Sequence, residues 1–240
     1  MSKLNQSKIL FAAGAGTILE WYDFALFAYL TPLLAALFFP SDHPYTAMML
    51  TYAIFAVGYF VRPLGAVLFG HLGDRIGRKK TLMWSILLMS IPTCLMGLLP
   101  TYQSIGIAAP ILLVILRICQ GLSAGGESTG AILFALESAP TARYRGLLGG
   151  LLWAVVGAGM LCGSFAATLV AQSEADWAWR VPFLAGILTG LIGYFVRART
   201  VESLDFLRAI REKTLAKFPL WQGIVQYKKA MLAMIAFYCL

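Results

Sequence analysis

The stretch Gly70-His71-Leu72-Gly73-Asp74-Arg75-Ile76-Gly77-Arg78-Lys79-Lys80 stands between two apolar runs, residues 47–69 and 81–99. As helices rising about 1.5 Å per residue, runs of that length cross the roughly 30 Å of a bilayer's hydrocarbon. A short basic connector then returns the second run antiparallel to the first. Further runs of the same kind cover residues 9–37, 105–131, 147–171 and 179–196, which makes six spans. A seventh apolar run starts at residue 230 and stops at 240, about 16 Å into a helix and too short to cross. The composition agrees: 60% of the chain is hydrophobic and 12% charged, where soluble chains carry about 25% charge. No core of this size hides that much apolar surface from water, so the solvent is lipid. A soluble enzyme, a disordered tail and a disulfide scaffold are excluded. Cys94, Cys119, Cys162 and Cys239 lie inside apolar runs and read as small hydrophobes.

The net charge of +8 reports topology. Of the nineteen Lys and Arg, all but Arg62, Arg117 and Arg180 fall before the first span, in the connectors around residues 75–80 and 143–145, or after the sixth span. Basic connectors stay in the cytoplasm, so the N-terminus is expected there. A nucleic-acid partner would need those residues gathered on a soluble face, and they are not. The predicted organisation is a transmembrane bundle over 1–196, a cytoplasmic linker over 197–228 and a truncated seventh helix over 229–240. The linker is expected to hold an amphipathic helix around Leu204, Phe206, Leu207 and Ile210, lying on the membrane surface. The two triplets of spans enter from opposite sides, as two three-helix inverted repeats do. The fold class is therefore an all-α membrane protein, a six-helix bundle plus the start of a seventh helix.

A charge at mid-bilayer costs roughly 2.5 to 3.5 kcal/mol even on mild insertion scales. Five residues carry one inside the spans: Glu20, Asp23, Arg62, Arg117 and Glu127. Glu20 and Asp23 lie ~17 and ~21 Å from the start of the first span, and Arg117 ~18 Å from the start of the fourth, so all three share the midplane. Glu20 and Asp23 are three residues apart and neighbours on one helix face, where two carboxylates are hard to ionise together. Such a set binds a proton in one conformation and exchanges it for an ion pair with Arg117 in the other. The alternative is a permanent salt bridge that only fixes packing. Glu127 lies off that face and nearer the cytoplasm, with Arg62 as its expected partner if its role is structural. Arg117, Gly121, Ala124 and Ser128 form a small-residue stripe that means either room for a substrate or close helix contact. Gly149, Gly150, Gly157, Gly159 and Gly163 predict close packing of the fifth span. Trp21 and Tyr22 suggest an aromatic cage, but adjacent helical residues face different ways. No His, Cys or carboxylate cluster has metal-ligand spacing, residues 70–77 lack a phosphate-loop ending, and no cofactor is expected.

The 70–80 connector resembles the signature loop of the major facilitator superfamily, and Arg117-Ile118-Cys119-Gln120-Gly121 resembles a second motif of that family. More narrowly, Glu20-Trp21-Tyr22-Asp23-Phe24, Arg62-Pro63-Leu64-Gly65, Gly125-Gly126-Glu127 and Trp179-Arg180-Val181-Pro182-Phe183 are similar to its metabolite:proton symporter branch, of the proline/betaine type. The resemblance covers essentially the whole chain. It implies the N-terminal half of a twelve-span carrier in a bacterial cytoplasmic membrane, moving a proton with a zwitterion such as proline or betaine, or with a small organic acid. Glu20, Asp23, Arg117 and Glu127 would then carry coupling and substrate. Asp74, Arg75 and Arg78, with Glu137 and Arg143 or Arg145, would form a charge cluster at the cytoplasmic gate, with Gly73 and Gly77 making a tight turn around Asp74. The partners implied are the bilayer, a proton, a small molecule, and either the missing second half or a second copy. The alternatives are a non-transporting remnant and a six-span half working as a dimer.

Overall fold

The computed structural model describes residues 3–40, 43–137, 142–199, 202, 204–212, 228 and 233. Among the described residues eight helices follow one another: α1 (Lys3–Phe38), α2 (Pro44–Ile76), α3 (Arg78–Leu98), the single turn α4 (Tyr102–Ile105), α5 (Ala108–Glu137), α6 (Ala142–Ala171), α7 (Arg180–Ala198) and α8 (Leu204–Arg211). Six of them, α1 to α3 and α5 to α7, are long and apolar enough to cross a membrane. The expected seventh run, the linker beyond 212 and Cys239 lie outside the described residues, apart from positions 228 and 233.

Several boundaries differ from the sequence expectation, and two of them reshape connectors. The 70–80 connector is not a loop: α2 continues through Gly73 and Asp74 to Ile76. The break comes at Gly77 alone, whose φ of 104° is a conformation that side chains with a Cβ rarely adopt. Asp74 thus sits in the last turn of a helix rather than in a tight turn at Gly73. The fourth span begins at Ala108 rather than 105, because Gly106, at φ 59°, closes the turn of α4 first.

The main packing partners are α2 with α5, α1 with α6, and α3 with α7. Exchanging the first three spans for the last three swaps the first two of these pairs and returns the third to itself, which is the symmetry of two three-helix repeats. Glycines set the closeness of the approach. A Cβ added to Gly125 would lie 2.8 Å from the Ala66 backbone nitrogen, and one on Gly65 2.8 Å from Leu122 Cα, so α2 and α5 touch backbone to backbone. Gly121 meets Gly58 in the same way. At Gly121 the stripe on the fourth span is therefore a helix contact, while Ser128 at its end lines a cavity. In α6 only part of the glycine expectation holds: Gly159 and Gly163 abut α1 at Ile18 and Ala25, while Gly149, Gly150 and Gly157 face open space.

The largest apolar cluster, with Phe27, Leu34, Phe38, Met96, Trp179 and Phe183, fills the end of the bundle away from the Gly77 turn. Arg180 closes that end by donating from Nη1 to the carbonyls of Gly97 and Leu99, both at 2.8 Å, which satisfies free carbonyls at the C-terminus of α3. The Tyr22 hydroxyl donates to the Pro182 carbonyl at 2.9 Å, so Tyr22 turns away from Trp21. On the outside, α2 and α6 are the least covered spans. Phe60, Trp153 and Phe165 stand exposed on them.

Candidate functional site

Among the described residues, six charges lie inside the bundle, five of them buried and Arg62 partly so, and they resolve into three ion pairs, each joining a different set of helices. Asp23 of α1 pairs with Arg117 of α5, Oδ2 to Nη1 at 2.9 Å, and both side chains are almost wholly buried. The second carboxylate oxygen of Asp23 accepts from Gln120 Nε2 at 3.0 Å and lies 3.1 Å from the Thr93 hydroxyl of α3. Gln120 also donates to Thr93 at 2.7 Å. The Phe27 ring lies 3.6 Å from the Arg117 guanidinium carbon. Depth along the spans placed Arg117 level with both Glu20 and Asp23; the structure gives it Asp23, with two polar partners, Gln120 and Thr93, of which only Gln120 stood in a quoted motif.

Glu20 does not share that site. Although one turn from Asp23, it faces α2 and α5, where Ser128 Oγ donates to its carboxylate at 2.6 and 2.8 Å. Arg62 Nη2 lies 3.2 Å from its Oε1. Arg62 is thus the partner of Glu20, not of Glu127 as expected. Its guanidinium carbon lies 4.0 Å from the centroid of Phe24, 4.4 Å from that of Tyr59 and 5.7 Å from that of Trp21. A cavity of about 80 Å³ opens between α1, α5 and α6 beside this pair, lined by Thr17, Trp21, Ser128, Leu152 and Trp153 among others.

Glu127 pairs with Arg197, a residue expected in the linker. The helix α7 runs past position 196 to Ala198, and Arg197 is turned inward in its last turn. Arg197 Nη1 donates to Glu127 Oε2 at 2.8 Å and to the Leu82 carbonyl at 2.6 Å, while Nη2 holds Glu127 Oε1. Ser85 Oγ donates to Glu127 Oε2 at 2.7 Å. The pair therefore ties α3, α5 and α7 near the basic end. One signal pointed to it: three intramembrane carboxylates faced only two intramembrane arginines.

At the Gly77 turn, Arg78 Nη2 lies 2.7 Å from Asp74 Oδ1, one helical turn's spacing bridging α2 and α3. Arg75 and Arg145 are exposed beside that end. The side chains of Glu137 and Arg143 lie outside the described residues. Glu202 was not singled out from sequence, yet its carboxylate accepts from the Lys79 backbone N–H at 3.0 and 3.2 Å, capping α3, while Lys79 Nζ donates to the Ala198 carbonyl at 2.7 Å.

Six antiparallel spans in two pseudo-symmetric triplets, with arginine–carboxylate pairs inside, define a multi-pass membrane protein of major facilitator architecture. Solved structures support that class. A proton:xylose symporter of the major facilitator superfamily, XylE, bound to 6-bromo-6-deoxy-D-glucose, superposes with TM-score 0.77 at 21% identity, over 88% of this chain and 48% of that one. The partially occluded inward open form of XylE from E. coli gives 0.75 at 20% identity over 95% of this chain and 57% of that one. The sugar (and other) transporter family model matches residues 8–236, and the chain belongs to that family. Among curated relatives, the proline/betaine transporter of Escherichia coli K12 is 40% identical over 206 residues, 83% of this chain and 41% of its own length. The glycine betaine/proline/ectoine/pipecolic acid transporter OusA of Dickeya dadantii is 39% identical over 212 residues, 85% and 42% respectively. The chain thus spans less than half the length of these relatives, which are transporters and not enzymes.

Proposed function

We propose that the chain is the N-terminal six-helix half of a secondary carrier that moves a small polar metabolite together with a proton by alternating access. The observation that carries this reading is the buried Asp23–Arg117 pair, held by Thr93 and Gln120 at mid-span. A proton on Asp23 removes the charge that compensates Arg117. An uncompensated buried guanidinium is costly, of the order of 3–5 kcal/mol. It is relieved by an incoming carboxylate, so proton and anionic group load together. Releasing the proton restores the pair and expels the carboxylate. The relatives are named for proline and betaine, among others. The substrate is accordingly a zwitterion of that kind, with a small organic acid as the other class bearing the needed carboxylate.

Glu127 and Arg197 tie helices within this bundle, and the Asp74–Arg78 pair with Glu202 biases the basic end between closed and open packings. That end faces the cytoplasm of a bacterial inner membrane, following the distribution of Lys and Arg. The bare faces of α2 and α6 are where a second six-helix bundle packs across the substrate.

The test is uptake into proteoliposomes of the protein expressed from its own gene, with an imposed proton gradient. Asp23→Asn is expected to abolish accumulation of labelled proline, betaine, ketoglutarate or citrate while leaving membrane insertion intact. Undiminished accumulation against a gradient in that variant removes Asp23 from coupling.

A further inference from the structure

Arg117 and Arg62 each leave Nε and Nη2 buried without a hydrogen-bond partner, and each lies over a ring face, Phe27 at 3.6 Å in the case of Arg117. They differ in that Arg117 is also locked by a hydrogen bond from Nη1 to the fully buried Asp23 carboxylate. Arg62 is gripped by ring faces: Phe24 at 4.0 Å, Tyr59 at 4.4 Å and Trp21 at 5.7 Å, with Phe55 set edge-on against Tyr59 at 5.2 Å. Its Nε and Nη2 are buried without a hydrogen-bond partner, and the contact of Nη2 with Glu20, although 3.2 Å long, lacks hydrogen-bond alignment. The guanidinium is therefore retained by its charge and flat face, while part of its fork of donors goes unused. A group held in that manner is exchangeable for a cation that has few N–H donors or none. Two of the three rings are reachable: Tyr59 is 40% exposed on the sparsely covered α2, and Trp21 lines the cavity beside Ser128, while Phe24 between them is buried under the guanidinium.

We propose that Trp21, Phe24 and Tyr59 are the receptor for the cationic nitrogen of a zwitterionic substrate, a place that the Arg62 guanidinium fills when substrate is absent. On binding, the substrate's ammonium takes the ring faces next to Glu20. Arg62 stays paired with Glu20 as it yields the ring faces, and the substrate's carboxylate accepts from Arg117, whose guanidinium carbon lies 5.9 Å from the Phe24 centroid. The sequence pointed to Trp21 with Tyr22; the rings that meet are instead Trp21 with Phe24, three residues on, and Tyr59 across the helix interface. The inference rests on the proposed carrier function and assigns the quaternary or secondary ammonium zwitterions as its substrate class.

The experiment is proton-driven uptake of radiolabelled betaine, in competition with tert-butylacetate, in which carbon replaces the charged nitrogen. A tenfold excess of that isostere is expected to leave betaine uptake unchanged. Tyr59→Leu, which keeps an apolar side chain at a position 40% exposed and is checked by an unchanged melting temperature, is expected to raise the half-saturating betaine concentration about tenfold. Competition by tert-butylacetate equal to that by unlabelled betaine, or an unchanged half-saturation in Tyr59→Leu, overturns the assignment. Proton-driven uptake of citrate or ketoglutarate with none of betaine or proline also overturns it, and leaves the carrier reading standing. Absence of gradient-driven uptake of all four overturns both.

Discussion

Replacing Arg197 by Met tests whether the sixth charge inside the bundle is structural. Its side chain is 2% exposed and that of Glu127 fully enclosed. The substitution leaves the Glu127 carboxylate with the Ser85 hydroxyl at 2.7 Å as its remaining hydrogen-bond donor, and also takes the Arg197 donor from the Leu82 carbonyl. Removing one member of a buried pair costs about 3–5 kcal/mol, because a charge stays behind uncompensated. Removing both, as Glu127→Leu with Arg197→Met, exchanges the pair for apolar groups of similar volume and is nearly neutral. The double mutant is thus expected to be more stable than Arg197→Met alone, with a coupling of several kcal/mol. At roughly 2–4 °C per kcal/mol for a chain of this size, Arg197→Met lowers the melting temperature by about 6–20 °C. Intrinsic tryptophan fluorescence in mild detergent reads the melt. A melting temperature for Arg197→Met within about 2 °C of the parent, or a double mutant less stable than either single, refutes the reasoning. The same proteins report on function: proton-driven uptake that survives in the double mutant places Glu127 among the packing charges and not in the coupling pair.

Three shorter expectations follow from the same contacts. Gly125→Val drives a Cβ to 2.8 Å from the Ala66 nitrogen and should destabilise by about 1–3 kcal/mol or more through overpacking, while Gly149→Ala, which faces open space, leaves the melt unchanged; equal melts for the two would show that α2 and α5 are not in backbone contact. Arg180→Ala removes both hydrogen bonds at the end of α3, costing about 1.5–3 kcal/mol, and hydrogen exchange should rise at residues 96–99; unchanged protection there counts against the cap. Asp74→Asn breaks a partly exposed pair worth at most about 1 kcal/mol, so the melt should hold while the uptake rate falls; a drop in stability with transport intact would make the pair a packing device and not a gate.

The spans were legible because hydropathy adds along one dimension. Residues 81–99 and 147–171 read nearly as the helices that form, while the crowding of Lys and Arg into alternate connectors is the ground on which the N-terminus is proposed to be cytoplasmic. Depth along those helices also put Arg117 at one level with Glu20 and Asp23, but both carboxylates met that condition, and only the packing gave Arg117 to Asp23. Gly77 was visible as a turn residue, but its neighbour Gly73 was not distinguishable from it, because backbone freedom permits a turn without requiring one. The remaining pairings depend on which helix lies beside which, and in what rotation. Three residues along α1 turn a side chain through about 60° and lift it by about 4.5 Å, enough for Glu20 to face α2 and Arg62 while Asp23 faces α3 and α5. Arg197 looks in sequence like any basic residue after a last span, and only the packing of α7 against α3 and α5 turns it inward to Glu127. Lipid forces every buried charge to find an opposite, so the chain alone determined that partners must exist, while the tertiary structure chose them, because neutralisation is a condition on distances in three dimensions.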